Sequence, residues 1–209
     1  MNPLETLLDG NRAWAAQTHE ADPTFFDRLA SGQSPHYFWI GCADSRVPAT
    51  QICGLDAGSI FVHRNVANLV TATDKNCLAA LQYAVDVLQV NDIVVCGHRD
   101  CGGVRAALDG GIDGIAAEWI GPLRELAGRH QNELEPLSPI QRTVQLCEWS
   151  VATQVMNLTK LDTVRRAWER GHELRLHGLV YSVADGILND LGVSISNPDQ
   201  VDALTARMP

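Results

Sequence analysis

Two short segments carry the residues best able to do chemistry. Cys42-Ala43-Asp44-Ser45-Arg46 offers a thiolate, a carboxylate and a guanidinium, and His98-Arg99-Asp100-Cys101-Gly102-Gly103 offers an imidazole and a second thiolate. Each follows an apolar, strand-like run. Thiolates exclude magnesium and calcium and favour zinc, which takes four ligands drawn from Cys, His and carboxylates. Cys42 and Asp44 sit two apart on one turn, while His98 and Cys101 sit three apart at a strand-to-helix junction. Three strong ligands, Cys42, His98 and Cys101, leave a fourth position for water or for Asp44, and a catalytic zinc keeps such an open position. Alone, either segment is a weak signal: a turn with a solvated ion pair, or a His/Cys pair in a core. Their combination after two strands is specific.

Zn²⁺ with two thiolates and a neutral imidazole sums to zero charge. A zinc on three histidines keeps +2 and brings its water to a pKa of about 7. Two thiolates weaken that pull, so water should ionise here in a more alkaline range. Asp44 would compete for the fourth position at lower pH. Arg46 is placed to hold it off through a bidentate pair. Held off, Asp44 can accept the hydrogen of the ionised water and aim its lone pair at an electrophile. Gly102 and Gly103 open the next helix, where bare backbone N–H groups could face an anion; a tight turn is the plainer reading of both glycines.

Placing these segments together requires a particular architecture. Four runs read as buried strands: Tyr37-Phe38-Trp39-Ile40, Ser59 to His63, Asp92 to Cys96 and Glu173 to Val180. Short continuous apolar runs suit strands covered on both faces. Helical patterns separate them, one over Asp74 to Gln89 with Leu78, Leu81, Val85 and Leu88 on one face, and a longest one over about Pro139 to Glu169. The expected fold class is α/β, a mostly parallel sheet of about four core strands flanked by helices. In such sheets ligands sit outside the carboxyl ends of the strands, where strand order reverses, so loops far apart in sequence can meet. Before the first strand, Leu4, Leu7, Leu8 and Trp14, then Phe25, Phe26 and Leu29, mark two helices. Residues 1–31 form a candidate arm for packing on a partner subunit, within a single domain spanning 1–209.

The chain of 209 residues is 45% hydrophobic with a net charge of −9, which suits one globular domain. No Lys/Arg run favours nucleic acid, and no apolar stretch reaches the roughly 18 residues of a membrane span. A cytoplasmic setting is expected. In that setting the six cysteines are ligands or buried hydrophobes rather than disulfides. Cys53, Cys77, Cys96 and Cys147 are expected to be buried.

The chain closely resembles the β-class carbonic anhydrases over nearly its whole length, through Cys42-x-Asp44-x-Arg46, the run Phe61 to Asn68, and His98-x-x-Cys101-Gly102-Gly103. The resemblance implies reversible hydration of CO₂ to bicarbonate and a proton at one zinc per chain. It also implies homodimers that often pair into homotetramers, N-terminal helices that wrap the partner, and an active site near the dimer interface. Cys42, His98 and Cys101 match the zinc ligands, and Asp44 and Arg46 the catalytic pair. Gln33, Phe61, Val66 and Tyr83 resemble the lining of the CO₂ pocket, and Gly102 a backbone donor to substrate. On pattern alone, Phe61 and Tyr83 are core aromatics. Trp39, Gly41, Arg64 and Tyr181 match the type II subgroup, in which bicarbonate at a second site and low pH favour a closed state with the aspartate on zinc. Two other activities would use the same residues: hydrolysis of carbon disulfide or carbonyl sulfide, and zinc or bicarbonate binding without turnover.

Overall fold

The computed structural model describes residues 2–206. They form two compact units, one within Met1–Ser34 and one within Pro35–Pro209.

The first unit is a helix pair, α1 (Pro3–Ala21) and α2 (Phe25–Ala30). Asn2 caps α1 by accepting the Leu4 N–H at 3.1 Å, and Pro3 sits at the start, where a missing N–H costs nothing. Asp22 ends α1 in an extended conformation and accepts hydrogen bonds from both the backbone N–H and the hydroxyl of Thr24. The Trp14 ring meets the Phe26 ring edge-on at 5.7 Å. Neither helix contains a buried residue, and Leu4, Leu7 and Leu8 remain exposed.

The second unit is built on five strands: β1 (Tyr37–Cys42), β2 (Ile60–Asn65), β3 (Asp92–His98), β4 (Arg175–Ser182) and β5 (Ile187–Ile195). Their order is β2-β1-β3-β4-β5, with the first four parallel and β5 antiparallel to β4. The four expected strands are present, each running two residues further than its apolar core suggested. The fifth was not expected. Its Asn189, Asp190 and Gly192 read as turn residues, and it lies at the sheet edge, where most of its side chains stay half-buried or exposed.

The helices are α3 (Ala49–Ile52), α4 (Lys75–Gln82), α5 (Gly102–Asp109), α6 (Gly114–Trp119), α7 (Gly121–Arg129), α8 (Gln131–Leu134), α9 (Pro139–Thr159), α10 (Asp162–Glu169) and α11 (Asp199–Thr205). Two departures from expectation have local causes. The pattern over Asp74 to Gln89 is not one regular helix: α4 passes into a wider turn at Tyr83–Val87, which buries Ala84 beside Val85 and leaves Tyr83 facing out. Left-handed Gln89 ends it, its side chain donating to the Val85 and Asp86 carbonyls. The long helix from Pro139 stops at Thr159 rather than running to Glu169. There Leu161 takes an extended conformation (φ −79°, ψ 137°), and that turn brings Leu161, Val164 and Ala167 into the core.

Alternation along the strands divides the sheet's two faces. Phe38, Ile40, Ile93 and Val95 enter a large core with side chains from α4, α5, α7, α9 and α10. The intervening Trp39, Val94 and Cys96 enter a much smaller cluster with Ala49 and Ile52 of α3. Of the four cysteines expected to be buried, Cys77, Cys96 and Cys147 are, but Cys53 is only half-buried because it follows the short α3 on the thinly covered face. All six cysteines are free. No helix among the described residues is long and apolar enough to cross a membrane.

Candidate metal centre and active site

Cys42 is the last residue of β1 and His98 the last of β3. These two strands are hydrogen-bonded neighbours although β2 lies between them in sequence, so the sheet's order reverses here. Cys101, three residues on, begins α5 as its N-cap. Strand pairing therefore carries two of the candidate donors to the same edge, and the tight turn through left-handed Asp100 (φ 60°) brings the third. The three donor atoms lie within 4.8 Å of one another and all three residues are buried. The sulfurs of Cys42 and Cys101 are 3.9 Å apart.

The donors fit zinc in kind and in state. His98 Nδ1 lies 3.1 Å from the Arg99 carbonyl. Donating there leaves Nε2 as a bare lone pair, and that atom is buried with no hydrogen-bond partner. The hydrogen bond from Cys101, aided by the Asp44 and Ala67 N–H groups, draws the Cys42 thiol well below its ordinary value against the effect of burial. The same contact, with burial, pushes the Cys101 thiol up. A divalent cation would hold both as thiolates.

Asp44 and Arg46 lie beside these donors. Arg46 donates from Nε to Asp44 Oδ1 at 2.9 Å and from Nη2 to Oδ2 at 2.7 Å, and its backbone N–H also reaches Oδ1 at 2.9 Å. These bonds hold the Asp44 carboxyl well below the usual carboxylate range. Asp44 Oδ2 is 3.7 Å from His98 Nε2, so the carboxylate stands at the donor set while gripped from behind. Arg46 turns its remaining Nη1 toward Asp100 Oδ2 at 3.6 Å, and Asp100 Oδ1 meets Arg105 at 3.3 Å.

A second donor group, His63, Asp74 and Cys77, also falls within 4.8 Å. Its members are already engaged. Asn65 contacts His63 Nε2, Asp74 Oδ1 caps α4, and burial raises the Cys77 thiol to about 12.

Residues 37–188 match the family model described as carbonic anhydrase. A curated carbonic anhydrase of Emericella nidulans is 43% identical over 90% of this chain and 83% of its own length. A solved β-carbonic anhydrase of Coccomyxa, in complex with acetazolamide, superposes with a TM-score of 0.93 at 36% identity, covering 99% of this chain and 96% of that one. A tetrameric β-carbonic anhydrase of Sordaria macrospora gives a TM-score of 0.89 at 39% identity, covering 93% and 100%. The chain belongs to the β-class carbonic anhydrases. It is an enzyme of CO₂ hydration.

The residues matched to the family's CO₂ pocket are placed as follows. Phe61 of β2 packs between Phe38 and Tyr83, with ring centroids 5.9 and 5.7 Å away. Tyr83 is 44% exposed and Val66 41%, so neither is an ordinary core residue. Gly102 opens α5, and the space a Cβ would occupy there is empty. Gln33 is exposed in the first unit.

The residues matched to the type II bicarbonate site are placed on β1, β2 and β4. Trp39 is buried on the thin face, with Tyr181 packed against the same cluster. Arg64 donates from Nε to the Cys42 carbonyl at 2.9 Å and from Nη2 to the Asp44 carbonyl. Arg64 is thereby tied to the backbone that carries both a metal-ligand candidate and the carboxylate.

Sequence reasoning missed two contacts to the donor set and one to the segment beside it. The Ala67 N–H reaches Cys42 Sγ at 3.4 Å. The Cys147 thiol, expected only to fill space, donates to the His98 carbonyl at 3.3 Å. The Trp119 indole N–H donates to the Val66 carbonyl at 2.8 Å. No local pattern marks these residues, because each acts from 25 to 53 positions away.

Proposed function

We propose that the chain hydrates CO₂ at one zinc ion held by Cys42, His98 and Cys101. The observation that carries this reading is Asp44, gripped bidentately by Arg46 yet with Oδ2 only 3.7 Å from the orphaned His98 Nε2. When bound, zinc would supply the Lewis acidity that makes a water molecule nucleophilic, here in an alkaline range because two thiolates offset the ion's charge. Asp44 accepts a hydrogen bond from that nucleophile and turns its lone pair toward carbon. Arg46 keeps the carboxylate charged and in place. Phe61, Val66 and Tyr83 desolvate CO₂, which is apolar and needs only confinement beside the nucleophile. The Gly102 backbone N–H, at the start of α5, faces the developing bicarbonate. The released proton passes to bulk buffer.

Inhibition by bicarbonate and low pH belongs to the same reading. Arg64 lies opposite Gly41 in the β1–β2 pairing and donates to the Asp44 carbonyl, so it holds the backbone that carries the carboxylate. Bicarbonate competing for the Arg64 guanidinium would loosen that backbone and let Asp44 turn onto the metal, a two-state shift driven by differential binding. Assembly as a homodimer, or a homotetramer of dimers, is supported by the thin cluster around Trp39 and by exposed Leu4, Leu7, Leu8 and Val62. A cytoplasmic setting is supported by six free thiols.

The test is CO₂ hydration by stopped flow on protein of known zinc content, across pH and with added bicarbonate. The reading expects one zinc per chain, a rate that climbs above neutrality and cooperative loss with bicarbonate. Full activity in protein free of zinc would sink it.

A further inference from the structure

The segment after β2 is bent in a costly way. Ala67 and Asn68 are consecutive non-glycine residues in the left-handed region, at φ 63° and 48°, a conformation that persists only where surroundings over-determine it. The surroundings here do so. Asn65 brackets Leu69, accepting its N–H at 2.7 Å and donating to its carbonyl at 2.8 Å. Gln154 accepts the Val70 N–H at 3.0 Å, and Asn157 donates to the Val70 carbonyl at 3.1 Å. On the other side, a Cβ on Gly103 would lie 3.1 Å from Ala67 Cβ and 3.2 Å from Val66 Cγ1, so α5 presses directly on the bend.

What this bend achieves is read at the peptide joining Val66 and Ala67. Its carbonyl accepts the Trp119 indole N–H at 2.8 Å, and its N–H points at Cys42 Sγ at 3.4 Å. The two groups belong to one planar trans unit and point in opposite directions. Pinning one end therefore aims the other.

We infer that Trp119 is a positioning residue for the metal centre, holding the Val66–Ala67 peptide so that its N–H draws charge from the Cys42 thiolate. The inference rests on the reading of Cys42 as a zinc ligand. Two thiolates neutralise the ion and blunt its Lewis acidity; a hydrogen bond to one sulfur returns part of it. Trp119 thus acts from α6, without touching substrate or metal.

The test is Trp119→Phe, which keeps a ring and removes the donor, with Gly103→Ala as a second perturbation of the same peptide from the opposite side. Hydrogen exchange at the Ala67 amide, measured on metal-free protein, should speed up by roughly tenfold in each variant. In the cobalt(II)-substituted protein the sulfur-to-metal charge-transfer band should move to longer wavelength. The midpoint of the pH–rate curve should move upward. Unchanged Ala67 exchange in a folded Trp119→Phe protein overturns the inference. Faster exchange with an unmoved band and midpoint overturns it too. If the parent chain takes up no divalent cation, the zinc reading fails separately, and the exchange measurement still decides whether Trp119 holds the peptide.

Discussion

Arg46 holds Asp44 along one edge of its guanidinium, Nε on Oδ1 at 2.9 Å and Nη2 on Oδ2 at 2.7 Å. This geometry matches the planar fork of arginine and not the single point charge of lysine. Arg46→Ala should lower kcat/KM for CO₂ hydration by roughly 10- to 100-fold, and Arg46→Lys should recover little of it. Stopped-flow assays at constant zinc content check both. Thermal melting should barely move, because the Arg46 side chain is 44% exposed. An active Arg46→Lys protein would show that charge alone suffices.

Removing the metal should abolish turnover and leave a folded but less stable chain. Cys42, His98 and Cys101 come from the end of β1, the end of β3 and the start of α5, so an ion held by them ties three elements together. Dialysis against a chelator should lower both activity and the melting temperature, and added zinc should restore both. Cys101→Ser should hold far less zinc by elemental analysis and should not respond to zinc addition.

Acid stability should depend on Asp92, remote from the metal centre. Asp92 opens β3, faces Arg175 across the β4 pairing at 2.7 Å, and meets His177 at 3.0 Å. Burial works to raise its carboxyl, but the bonds from Arg175 and His177 outweigh burial and hold it below its ordinary value. A depressed folded-state pKa stabilises the fold above the unfolded value of about 3.9, and that stability is lost as pH falls through the folded value. Asp92→Asn should therefore lower the melting temperature at neutral pH and flatten its decline below about pH 4. Parallel melting curves for parent and variant through that acid range would contradict the assignment.

Gly41 is required by the Trp39 indole. A Cβ there would lie 2.5 Å from Trp39 Nε1 and 3.0 Å from Cδ1. Gly41→Ala must push the ring aside, at a cost of about 1–3 kcal/mol, as overpacking usually brings. Differential scanning calorimetry should register the loss. Bicarbonate inhibition should weaken in the same variant, and inhibition curves identical to the parent's would remove Trp39 from the regulatory reading.

Residue types and short spacings by themselves determined the donor set, the Asp44–Arg46 pair and the four parallel strands, because ligand chemistry and apolar runs are local properties. The sequence also placed the donor segments after strands, and parallel pairing of β1 with β3 then explains their meeting. Tertiary structure alone decided the rest. The edge strand β5 is half-buried, so no apolar run announces it. The helix break at Leu161 comes from packing that residue into the core, with no Gly or Pro to mark it. The left-handed pair Ala67–Asn68 and its link to Trp119 depend on side chains that only folding brings within hydrogen-bond distance. Hydrogen bonds of that reach are set by how helices seat on the sheet, and one-dimensional periodicity carries no record of it.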